Sequence, residues 1–163
     1  WMGYECTPEM LDRTVEYYLA RTAHGSTLSR IVYAWVTSRI DPHESWELFR
    51  EALAADIDDT QGGTTPEGIH LGAMAGSLDL LQRCYSGLEL RGEEVWFDPH
   101  LPPALENLAF DIVHHDRTLS IELDHDTLRV EVEPGPAVPV KVGFRGEVRE
   151  LCPGEVLEVS LTA

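Results

Sequence analysis

The chain changes its hydrophobic period once, near Gly87, and that switch constrains its fold more than any other feature. Before it, apolar residues recur three and four positions apart, as on a helix face. After it they alternate, as along a half-buried strand. Thr7-Pro8 supplies an N-cap followed by proline at the first helical position, and Met10, Leu11, Val15, Tyr18 and Leu19 follow at helical spacing. A break at Ala23-His24-Gly25-Ser26 ends that helix. A second is predicted from Ser26, with Leu28, Ile31, Val32, Trp35, Val36 and Ile40 on one face. Asp41-Pro42 opens a third, whose buried stripe is Trp46, Phe49 and Leu53. After the polar loop 56–66, a fourth is predicted from Thr65-Pro66 to about Tyr85. Its Ile69, Leu71, Met74, Leu78, Leu80 and Leu81 point several ways, which predicts burial nearly all round. Gly72 and Gly76, one turn apart, would let a neighbouring helix come close.

Beyond Gly87 the runs Glu94–Phe97, Leu108–Val113, Leu119–Leu123, Leu128–Val132, Val138–Val142 and Val156–Val159 alternate, punctuated by turns of Pro, Gly, Asp and His. That is the pattern of an antiparallel sandwich or barrel. Asp98-Pro99-His100-Leu101-Pro102-Pro103 reads as a rigid link, and His114, His115 and His125 as solvated turn residues. The expectation is an α+β chain: residues 1–86 helical, residues 87–163 an antiparallel sheet domain. A helix without a polar face needs neighbours on every side, and about four helices do not provide them. The helical half therefore reads as the end of a larger helical barrel.

Charge and cysteines narrow the function. Twelve basic against 29 acidic residues give a formal net charge of −17, which repels nucleic acid over the whole surface. One bound anion remains compatible, because backbone N–H groups can hold it locally. Cys6, Cys84 and Cys152 form no C-x-x-C pair, so neither a zinc site nor a disulfide scaffold is expected. Asp56, Asp58 and Asp59 lack the downstream glutamate of a calcium loop, so no metal is expected. No secretory signal and no apolar run of the ~20 residues a membrane span needs is visible, and reduced thiols point to the cytoplasm.

Two stretches carry the chemistry. In Glu16–Ser29, the Gly25-Ser26-Thr27 turn opens a helix and offers N–H groups and hydroxyls to an anion; simple helix capping is the commoner role of such a turn. In Gly62–Gly76, His70 sits in the first turn of a helix. It can donate to a phosphate oxygen or be a core histidine satisfied by a carbonyl. Together, Tyr17-Tyr18-Leu19-Ala20-Arg21-Thr22-Ala23-His24-Gly25-Ser26-Thr27-Leu28-Ser29 and Glu67-Gly68-Ile69-His70-Leu71-Gly72-Ala73-Met74-Ala75-Gly76 resemble glycoside hydrolase family 65, which holds the maltose, trehalose and kojibiose phosphorylases. The passage from Tyr85 to Pro102 resembles that family's transition from helical barrel to C-terminal sheet.

The resemblance implies the end of an (α/α)6 barrel followed by a small antiparallel β-sandwich. It implies that Ser26 and Thr27 cradle inorganic phosphate, that His70 contacts it, and that His24, Gly25 and Glu67 support the loop. Thr27 stands where members carry a second serine, and Gly25 where many carry aspartate. The implied reaction is inverting phosphorolysis of a disaccharide, with phosphate as co-substrate and no cofactor. No catalytic residue lies in this chain: the general acid belongs to a portion N-terminal to it, which would also complete the disaccharide site and leaves room for a homodimer. Two alternatives stand beside this reading. One is a family hydrolase of trehalase type, using water instead of phosphate. The other is a non-catalytic carbohydrate-binding or interaction module presenting Trp96 and Phe97, either of which could equally be core.

Overall fold

The computed structural model describes residues 7–23, 25–59, 62–63, 66, 68–136 and 138–162. His24 and Glu67 lie outside the described residues. Contacts divide the chain into two units, Trp1–Ser77 and Leu78–Ala163.

In the first unit, α1 (Pro8–Leu19) is capped by the Thr7 hydroxyl, which accepts from Met10 N–H, and α2 (Thr27–Thr37) by Ser26, which accepts from Leu28 N–H. Asp41 caps α3 (Pro42–Ala54) by accepting from Glu44 N–H. The predicted starts coincide with these caps. The faces differ from prediction. Small residues are buried between α2 and α3: Ala34 and Ala52 are fully enclosed, and Ser45 donates to the Ala34 carbonyl at 2.7 Å. Leu48 and Phe49 complete the stripe, while Leu53 is exposed. On α2, Ile31 is buried but Leu28, Val32 and Trp35 face outward, and the helix ends before Ile40.

The fourth helix, α4 (Leu71–Asp79), begins later than Thr65-Pro66 predicts. Gly62, Gly63 and Gly68 all take positive φ, which unwinds the approach, and the His70 carbonyl accepts the first helical bonds from Ala73 and Met74. Nor is it enclosed: Leu71 and Leu78 are exposed, and Ala73 and Ser77 are its buried residues. A π-helical stretch, Leu80–Tyr85, follows.

In the second unit, β1 (Glu89–Arg91), β2 (Glu94–Phe97), β6 (Val140–Phe144) and β7 (Glu147–Leu151) form one sheet in the order β1-β2-β6-β7. The strands β3 (Asn107–His114), β4 (Arg117–Asp124), β5 (Thr127–Val132) and β8 (Val156–Ser160) form the other, in the order β3-β4-β5-β8. Both contribute to one core: Val95, Phe97, Val140, Val142 and Leu151 from the first, Leu119, Ile121, Leu123, Leu128, Val130, Val132 and Leu157 from the second. The sandwich is antiparallel except where β2 pairs parallel with β6. The chain leaves the first sheet after β2, builds three strands of the second and returns, and such an excursion can bring a strand back in parallel. Two strands escape sequence prediction, β1 because it is short and β7 because only Leu151 of its five residues is buried. Phe97 is core; Trp96 lies over Gly143 on the outer face, donates to Glu94 at 2.8 Å and carries the Arg91 guanidinium 4.5 Å above its ring. His114 is buried, against the expectation of a solvated turn, because it sits on the inward face of β3. No described helix is long and apolar enough to cross a membrane.

Candidate functional site

Two glycines place the candidate residues. A Cβ built on Gly76 would lie 2.5 Å from Ile31 Cγ2, and one on Gly72 would lie 3.8 Å from Leu28 Cδ1. Only glycine admits the first approach. Residue numbers rise together across these two approaches, Leu28 with Gly72 and Ile31 with Gly76. Ser26 and Thr27 stand two and one residues before Leu28, and His70 two before Gly72.

Each corner is held by its own bonds. Ser26 is extended, with φ −140 and ψ 141, and its carbonyl accepts from Ser29 N–H at 3.1 Å and Ser29 Oγ at 2.7 Å. Ser26 and Gly25 are exposed, whereas Thr27, at the first helical position, is buried. Upstream, Arg21 donates to the Tyr17 carbonyl at 3.0 Å and stacks 3.8 Å over its ring. Thr22 donates to the Tyr18 carbonyl at 2.8 Å and shares a hydroxyl–hydroxyl bond with Tyr33 of α2. The Tyr-Tyr-x-x-Arg-Thr run thus closes α1 and ties it to α2.

His70 is held by a residue to which the sequence pattern assigns no such role. Asp56, two positions past α3, accepts the His70 backbone N–H at 3.1 and 3.2 Å and also the imidazole Nδ1. A carboxylate can only accept, so that contact makes Nδ1 the proton-bearing nitrogen and Nε2 an acceptor. Hydrogen bonding to His70 holds the Asp56 carboxyl below its ordinary value, helped by the His70 backbone N–H and charge, and opposed by partial desolvation. The two residues lie fourteen positions apart, so spacing along the chain gives no sign of the pair. Asp59 turns inward instead: its carboxylate accepts from Gly63 N–H at 2.7 and 2.8 Å. Among the described residues, no group of three or more His, Cys, Asp or Glu is placed to hold a metal ion.

Each helix N-terminus carries positive partial charge and outward N–H groups. An exposed serine hydroxyl and an oriented imidazole complete a set of polar groups suited to a small oxyanion.

Comparisons with known proteins identify the family. Residues 1–79 match the glycosyl hydrolase family 65 central catalytic domain, and residues 88–151 match the family's C-terminal domain. The chain belongs to glycosyl hydrolase family 65. An uncharacterized glycosyl hydrolase of Mycobacterium tuberculosis is 49% identical over 158 residues, covering 97% of this chain and 12% of that protein. The trehalose 6-phosphate phosphorylase of Lactococcus lactis is 35% identical over 128 residues, covering 78% of this chain and 17% of the enzyme. A solved structure assigned as a kojibiose phosphorylase from the human microbiome superposes with a TM-score of 0.81 at 23% identity, over 97% of this chain and 23% of that one. The chain thus spans under a quarter of the length of these relatives.

Proposed function

We propose that this chain is the phosphate-binding portion of an inverting family 65 disaccharide phosphorylase. On this reading Ser26, the backbone of Thr27 and the Nε2 of His70 hold inorganic phosphate at the N-termini of α2 and α4, and Gly25 leaves the approach open. The close approach of α4 to α2 at Gly76 and Ile31, beside Gly72 and Leu28, carries the proposal. Phosphate held there attacks the anomeric carbon from the face opposite the leaving sugar. A carboxylic acid from the preceding part of the enzyme protonates the glycosidic oxygen, and the product is a sugar 1-phosphate of inverted configuration. The site's own contribution is orientation: the anion is fixed before the reaction by donors that need not rearrange.

Phosphate titration of the chain, read at the His70 ring and the amides of residues 26–28 by NMR at constant ionic strength, tests the proposal. Saturable shifts are expected with phosphate and not with chloride. Ser26→Ala should weaken binding by about three- to tenfold, the loss of one hydrogen bond to an anion. Unmoved His70 signals reject the site. The chain alone should release no sugar 1-phosphate from any disaccharide, and adding the preceding catalytic portion should restore phosphorolysis. Free glucose in place of sugar phosphate would select the hydrolase reading. Against the binding-module reading stand the burial of Phe97 in the core and the stacking of Arg91 on Trp96.

A further inference from the structure

The β-sandwich holds a cavity with the opposite electrical character to the chain as a whole. On the inward face of the second sheet, core residues give way to His114 and Arg117, paired in register where β3 turns into β4. Arg117 is only 5% exposed. Its Nε donates to the Val138 carbonyl at 3.0 Å, and its Nη1 is buried with no hydrogen-bond partner among the described residues. A guanidinium does not shed its proton when buried, so its charge and its N–H groups persist inside. His114, also buried, is anchored through Nε2 to the Glu93 carbonyl at 3.3 Å, and the His115 ring meets it edge-on at 4.2 Å.

These side chains line a cavity of about 280 Å³ whose remaining wall comprises residues 138–140, Glu93 and Lys141. Lys141 is the only lysine of a chain with net charge −17. Four residues that carry or can acquire positive charge therefore meet one carboxylate, that of Glu93, in a protein that is otherwise strongly acidic. The volume far exceeds the ~30 Å³ share of one water molecule, so it admits a multi-atom ligand. His115 and Asp116 hold the hairpin at positive φ, 47 and 59, the two-residue turn that sets His114 opposite Arg117.

We propose that this cavity binds a small oxyanion, with the planar Arg117 fork as its principal donor and Lys141 as a charge at the rim. An oxyanion supplies what a buried, half-satisfied guanidinium lacks: acceptors with matching geometry and a compensating charge. Inorganic phosphate, a sugar phosphate and a carboxylate share this chemistry. The assignment is independent of the α2–α4 site.

The experiment is an NMR titration of the chain in a Ser26→Ala background, read at the His114 and His115 rings. Inorganic phosphate, glucose 1-phosphate, acetate and chloride are compared at constant ionic strength. At least one oxyanion should shift these signals saturably while chloride does not, and the arm that binds tightest identifies the source. Arg117→Gln should weaken that binding at least about tenfold, the value of a charge-assisted bond. Lys141→Gln, at an exposed position that leaves the core intact, should weaken it about two- to fivefold. Signals that respond to no oxyanion, or to chloride equally, overturn the proposal. So does binding unaltered by Lys141→Gln, a result that stands even if Arg117→Gln fails to fold.

Discussion

The two units solve the burial problem differently. The sandwich closes on itself: twelve buried apolar residues from both sheets form one core. The helical unit buries mainly small side chains and leaves Met10, Leu11, Tyr17, Tyr18, Leu28, Val32 and Trp35 outward. Such faces suit helices that pack against further helices, as in the longer relatives of which this chain spans only a part. A sheet pair can be complete within some eighty residues; a few helices taken from a barrel cannot.

Hydrogen exchange should expose this contrast most strongly. Amides of β4 and β5 are expected to open only with global unfolding, and those of α1, which buries Val15 alone, by local fraying. A gap of at least ~4 kcal/mol between the two sets is expected, given global stabilities of ~5–15 kcal/mol. Equal protection would break the comparison. Next comes Gly87→Ala: at φ +67, its Cβ would lie 2.0 Å from the Asp98 carbonyl oxygen. Overpacking and left-handed strain, about 1–3 kcal/mol each, should together cost about 3–5 kcal/mol in thermal or denaturant unfolding.

Gly76→Ala meets a side chain, Ile31, instead of backbone. Its cost should be lower, about 1–3 kcal/mol, and Ile31→Ala should relieve part of it in a double-mutant cycle. Additivity would mean that α2 and α4 do not touch there. The smallest effect is a pH dependence. The Asp56 carboxyl titrates lower in the folded chain than its ordinary value of 3.8, so the folded state binds its proton less readily than the unfolded. Its stabilisation is present above that value and is lost as pH falls through the depressed one. Acid unfolding followed at α4 should be shallower in Asp56→Asn; an unchanged profile would remove the Asp56–His70 pair from the account.

Much of this architecture was legible in residue order. Thr7-Pro8, Ser26 and Asp41-Pro42 marked helix starts because caps act locally, and six of the eight strands showed as alternating runs. Thr65-Pro66 misled because Gly68, at φ +111, delays the helix to Leu71. Strand β7 was silent because its outward residues carry no alternation. Of the candidate site, Ser26 and His70 stood out by type and neighbourhood, whereas Asp56 did not, its partner lying fourteen residues away.

The sequence by itself determined the helical and sheet halves, the helix caps and the polar corners at Ser26 and His70, since each depends on residues within a turn or two. Only the tertiary structure decided that α4 meets α2 at Gly76 and Ile31, that Asp56 bonds His70, and that Arg117 lies buried beside His114. Those facts depend on which distant surfaces meet, and side-chain periodicity records that a face is apolar without recording what covers it.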